Sequence, residues 1–360
     1  MPTHLSALGP AEAYGRWIDV TPSDGRRYRE TERRSQAPGD DVLVPASTLR
    51  RYRRFSLYNS PYPAHAAGCA IDLYPATNEG IAPVAGEVLE TQTVRAPPKS
   101  YADDAEFLIL VDVDCERSGI RVGSDGTGGG DAECADGLVA RILHVRPTVE
   151  PGETVGVGDS LGPMVRSGFF APWVANHVHV GFRRGGQNLH RAGGSLPVAA
   201  AVEVEPLAWD GVGTVVETGD TYALLDAPAH PSPGKRFAGI AGVVDGRERV
   251  GDGEGERIVL DGGMAHYADG GALGRGRRAE RTAFDPVSFL GHCVGDASGR
   301  TVAWRDIDVL ANGDRITGLS LFAALDPEFG AKLVCPDREF RVGERVEVEI
   351  RESDDPIRLG

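Results

Sequence analysis

Lysine is nearly missing from this chain of 360 residues. Lys99, Lys235 and Lys332 are the only ones among 38 basic residues, and the rest are arginine. Acidic residues number 53, which sets the net charge at −15. Many carboxylates with so little lysine looks like a halophile's protein, whose hydrated acidic surface keeps it dispersed in high salt. Such a surface argues against nucleic acid or an anionic membrane as a partner, because both demand basic patches. No apolar run approaches the roughly 20 residues of a membrane-spanning helix, so no membrane insertion is expected. Cysteine is also sparse. Cys69, Cys115, Cys134, Cys293 and Cys335 form no CxxC pair, which fits a reducing compartment, and a Cys115–Cys134 bridge is not favoured. The opening Met-Pro-Thr-His-Leu-Ser-Ala lacks a basic region followed by an apolar core. No secretory signal is read there, and a cytoplasmic location is expected.

Long amphipathic helices are absent as well. What remains is short alternating segments cut by glycine and proline turns, so the expected class is mainly β. Strands are read at Val42–Pro45, Phe55–Tyr58, Cys69–Tyr74, Glu106–Asp114 and Leu138–Val145, with a β-turn-β pattern at Ile81–Val88. The pattern restarts near Glu205 with Val212–Glu217 and Thr221–Leu225, and it closes with Arg345–Arg351. The expected organisation is an N-terminal extension over 1–50, a β domain over 51–204 and a second β-rich domain over 205–360. Ser124-Asp-Gly-Thr-Gly-Gly-Gly130 is glycine-rich, but no Lys-Ser/Thr follows it, so a phosphate-binding loop is excluded.

The chemistry is most legible at Asn176-His-Val-His-Val-Gly-Phe-Arg-Arg184. On a strand, His177, His179 and Gly181 share one face, and Val178, Val180 and Phe182 share the other. One face packs while the other presents two imidazoles, which serve as metal ligands or as proton carriers near neutral pH. Upstream, Asp72 sits within the apolar run Cys69–Tyr74, where a carboxylate is costly unless it is paired or metal-bound. His65 precedes it, and His144 ends the strand that begins at Leu138. His190, His230, His266 and His292 lack partners at ligand spacing and read as structural or exposed.

His65 with Asp72, the Ala82-Pro-Val-Ala-Gly-Glu-Val88 turn, His144, the glycine-rich run from Val149 to Gly162, and His177-Val-His179 stand in this order. The ordered set resembles the lysostaphin-type (LytM-like) zinc metallopeptidases over roughly residues 55–185. The resemblance implies a duplicated hybrid motif (barrel-sandwich) β domain and a zinc-dependent peptidase or amidase acting on a peptide or amide-containing substrate. It makes His65, Asp72 and His179 the zinc ligands, and His144 and His177 the catalytic pair. One departure stands out. The family's first ligand falls where this chain has Gly68, and His65 lies three residues earlier. On a regular strand, positions 65 and 72 face opposite ways, so a bulge or loop at Ala66–Gly68 is needed to align them. The alternative reading is a non-catalytic ligand-binding or carrier module on the same fold. A phosphocarrier is weaker still, because Asp72 beside the histidines suits a cation and repels phosphate.

Overall fold

Turn residues every few positions leave room for little but strands. The computed structural model describes residues 41–123, 137–244, 255–275 and 284–359. It is nearly all β, with 49% strand and 4% helix. The helices among the described residues are single four-residue turns at Ala46–Leu49, Pro63–Ala66 and Cys115–Ser118. None of them is long and apolar enough to cross a membrane. Residues 1–40 and the Ser124–Gly130 segment lie outside the described residues.

The first domain is built on an antiparallel sheet. Its strands run in the order Arg54–Ser56, Ile71–Tyr74, Val178–Arg184, Leu138–Leu143, Glu106–Val113, Gly86–Val94 and Thr154–Val155. The His-Val-His strand is central, between the Asp72 strand and the strand that leads to His144. Sequence alternation explains which faces close on the core. Val178, Val180 and Phe182 are buried beside Ile71, Leu73, Ile109, Val111, Ala140 and Ile142. A second small sheet, with Asp41–Pro45 between Val198–Ala201 and Arg121–Gly123, flanks it.

The second domain contains a closed barrel. Phe237–Val244, Glu256–Met264, Asp269–Leu273, Thr301–Trp304, His292–Ser298 and Asp285–Phe289 pair in turn, and the last returns to the first. Closure removes the exposed edges that open sheets must protect. Most of its apolar residues form a core of their own, while Phe237, Val259 and Leu273 pack into the first domain's core.

The two domains share a seam. Arg54 and Phe55 pair with Ala324 and Ala323 of the second domain. Phe237 enters the first core and meets the Phe55 ring edge-on at 5.1 Å. Cys69, Cys293 and Cys335 are not in disulfides. Cys115 is disulfide-bonded, against the expectation of reduced cysteines, and Cys134 lies outside the described residues.

Candidate metal centre

Strand register creates the first half of the site. His179 lies directly opposite Asp72 in the antiparallel pair, where facing side chains approach most closely. Asp72 Oδ1 stands 3.0 Å from His179 Nδ1. His65 arrives by a different route. It belongs to the single turn Pro63–Ala66, after which the chain reverses at Gly68 with φ of 65°. That left-handed turn is open to glycine, and any Cβ there would come 2.7 Å from the Tyr58 hydroxyl. The irregular backbone cancels the odd spacing between residues 65 and 72. His65 Nε2 thus stands 3.3 Å from Asp72 Oδ1 and 3.0 Å from His179 Nδ1.

The three donor atoms therefore form a triangle with edges of 3.0, 3.0 and 3.3 Å. Around a tetrahedral zinc with nitrogen and oxygen bonds of about 2.0–2.1 Å, neighbouring ligand atoms are about 3.3 Å apart. The donor set fits: two imidazoles and one carboxylate, with His65 and Asp72 buried and His179 15% exposed at its side chain.

Two further imidazoles flank the triangle. His177 Nε2 lies 3.3 Å from Asp72 Oδ1, and its ring is 5.2 Å from that of His144. The His144 ring is 5.6 Å from that of His179. Asp72, His65, His144, His177 and His179 all gather at one place.

Three of the four rings are set by an acceptor at Nδ1. His65 Nδ1 donates to the Leu57 carbonyl at 2.8 Å, His177 Nδ1 to the Ala175 carbonyl at 2.9 Å, and His144 Nδ1 to the Glu106 carboxylate at 2.9 Å. These acceptors fix the tautomer and leave each Nε2 as the free nitrogen, the arrangement common around metal sites. His144 itself has φ of 71°, uncommon for a residue with a side chain and frequent at functional positions.

Sequence reading missed Glu106. It is buried and also accepts the backbone N–H groups of Phe107 at 2.8 Å and His144 at 3.0 Å. The signal was available: Glu106 shares a strand face with Leu108 and Leu110, the same anomaly that marks Asp72.

The electrostatics follow from burial set against pairing. Burial would raise the Asp72 carboxyl, but its interactions with His177, His65 and His179, which favour the ionised form, outweigh burial and hold it well below the usual range. Burial pulls His179 down to about 3 and lowers His177, each against the pull of Asp72. Both are neutral at physiological pH, the form that binds a metal or accepts a proton. Burial opposes His65, yet Asp72, the Leu57 carbonyl and Asp261 hold it above its ordinary value. For Glu106, His144 and Ser167 overcome burial and lower the carboxyl.

A loop closes over the pair. Phe170 stacks at 4.3 Å on His177 and at 4.6 Å, edge-on, on His144. Five successive carbonyls of this loop are taken by side-chain donors. Tyr101 holds Phe170, Arg166 holds Ala171, Pro172 and Val174, and Lys332 of the second domain holds Trp173.

The second domain also reaches behind His65. The buried Asp261 carboxylate accepts the Leu57 and Tyr58 N–H groups at 2.7 and 3.2 Å. It thereby fixes the peptide whose carbonyl orients His65.

Of the remaining histidines, His190 and His292 are exposed, His230 is tied to the Ala324 carbonyl, and His266 is fully buried in the second domain.

Fold and site together define a two-domain, all-β chain with a histidine–carboxylate centre of metal-binding geometry. The chain belongs to the DUF8155 family: the N-terminal domain described as a domain of unknown function matches residues 43–200, and the C-terminal domain of the same description matches residues 205–351. No curated protein and no solved structure matches it.

Proposed function

We propose that this protein is a zinc-dependent hydrolase of peptide or amide bonds, with His65, Asp72 and His179 as ligands. One observation carries the reading: the donor triangle at zinc-ligand spacing, flanked by two imidazoles whose Nδ1 atoms are already occupied. The donor set suits zinc better than calcium or magnesium, which favour all-oxygen shells. Zinc bound there supplies a Lewis acid and an acidified water. The protein's own part is proton handling. His177, neutral and with Nε2 turned towards Asp72, accepts a proton from the attacking water. His144 is kept in one tautomer by Glu106, and from the other side of the site it stabilises the developing oxyanion or hands the proton on. Phe170 packs against one side of each ring and shields that side from bulk solvent.

The second reading is a metal-bearing binding module without hydrolysis. The burial of His144 and His177 beneath Phe170 is what favours it. The experiment that separates the two is cleavage of a peptide library by the zinc-loaded chain at high salt, before and after chelation. Cleavage that chelator abolishes and zinc restores is expected. Bound zinc with no cleavage hands the site to the binding reading.

A further inference from the structure

Beside the metal centre, at the seam between the domains, two cations stand where the protein gives them little to bind. The Arg54 guanidinium lies 4.7 Å from the Tyr74 ring centroid and 4.9 Å from that of Phe322. Tyr74 in turn lies 5.0 Å from the His177 ring. Arg54 is half-buried, and no carboxylate or carbonyl among the described residues accepts its side-chain N–H groups within hydrogen-bond distance.

Lys332 comes from the second domain. It is one of only three lysines in the chain and is 7% exposed. Its ammonium donates to the Trp173 carbonyl at 2.5 Å and sits 4.3 Å from the Tyr222 ring centroid. An ammonium has three N–H donors, so Lys332 still has donor capacity to offer. Burial, and after it the charge of Arg54, push Lys332 down to about 7 against the pull of Glu217. The acid in the neighbourhood is Glu217, exposed and engaged with the Tyr222 hydroxyl at 2.5 Å. In a chain of net charge −15, a guanidinium with no acid on it, one ring away from His177, and a buried ammonium close enough to feel its charge are an unusual pair.

We infer that Arg54 and Lys332 form a carboxylate-binding subsite of the substrate cleft, one residue from each domain. The inference rests on the hydrolase reading for the word substrate, and on the seam alone for the anion. A guanidinium steadied by flanking rings presents a planar fork that matches a carboxylate with two parallel hydrogen bonds. A buried ammonium beside it adds charge at low dielectric. Only the Tyr74 ring separates Arg54 from His177, so a carboxylate held at Arg54 would anchor a short peptide on the side of the metal centre that Tyr74 borders. The carboxylate is either a free chain terminus or an acidic side chain.

The test is calorimetric titration of the full-length chain, both zinc-loaded and metal-free, with three probes: N-acetyl-triglycine as the free acid, the same peptide as its amide, and N-acetyl-Gly-Glu-Gly amide. The free acid is expected to bind at least about tenfold more tightly than the triglycine amide. Arg54→Gln and Lys332→Met should each erase that difference, and Lys235→Met, on the exposed surface, should preserve it. Arg54→Gln is the safer variant for folding, because Lys332 also holds the Trp173 loop. Binding of the Glu-bearing amide as tight as that of the free acid assigns the subsite to a side-chain carboxylate, and weaker binding assigns it to a chain terminus. Equal affinity for acid and amide, no binding of either at millimolar concentration, or a preference that survives both substitutions overturns the inference. No cleavage is required, so an inactive chain leaves the subsite standing. Loss of the acid preference, conversely, leaves the zinc reading intact.

Discussion

Asp72 and Glu106 show how much one buried carboxylate can organise. Each is buried among apolar strand neighbours, and each is paid for by imidazoles or backbone donors. Asp72 gathers three histidines within 3.3 Å of a single oxygen. Glu106 turns one histidine and locks its ring. Glu106→Gln is expected to lower kcat by roughly 10–100-fold, the usual effect of removing a group that orients a catalytic or ligating histidine, with bound zinc unchanged. Metal analysis beside a rate measurement checks both halves. At this scale the sequence told a good deal. Asp72, His177 and His179 were legible because a strand has period two and the motif sat inside it. His65 was legible as a residue but not in its geometry, because its approach depends on a turn that alternation cannot describe. Glu106 was less legible because it is the first residue of its strand, where alternation has only begun and a charged end residue is ordinary.

The elements that matter most for the site are the irregular ones. The regular strands supply register, and register puts His179 opposite Asp72. The turn at Pro63–Ala66 and the Phe170–Val174 loop supply the rest. Their conformations come from contacts remote in sequence: the Tyr58 hydroxyl over Gly68, the Leu57 carbonyl on His65, and Arg166 across three carbonyls. None of these is visible as a local pattern. Gly68→Ala tests the turn. A side chain at φ of 65° with its Cβ 2.7 Å from Tyr58 Oη is expected to cost at least about 1 kcal/mol, and to weaken zinc retention because His65 moves with it. Denaturant unfolding and metal content measured on the same sample report the two effects.

At the scale of the whole molecule, the second domain is part of the site's frame. Asp261 braces the peptide behind His65, Lys332 anchors the loop over His177, and Phe237 fills the first core. The sequence marked a restart near Glu205 but gave no sign of the seam, which joins residues about two hundred positions apart. Stability should carry a pH signature from this half. Burial holds His266 down to about 3, and Arg358 adds to the effect, while an unfolded histidine titrates near 6.5. The depressed folded value means that the unfolded chain binds the extra proton first. Stability is therefore full above about pH 6.5 and falls as the pH drops from there towards 3. His266→Phe, which keeps an aromatic ring against Trp173 and Tyr267, is expected to flatten that slope. Chemical unfolding across the pH series would show it, and an unchanged slope would assign the loss to other groups.

The most direct test of the metal centre is the zinc content of purified protein, measured for the wild type, Asp72→Ala, His179→Ala and His177→Ala. The expected result is about one zinc per chain in the wild type, near none in Asp72→Ala and His179→Ala, and wild-type content in His177→Ala with hydrolysis lost. A wild-type chain that holds no zinc would contradict the account. So would a His177→Ala chain that loses its metal as readily as His179→Ala.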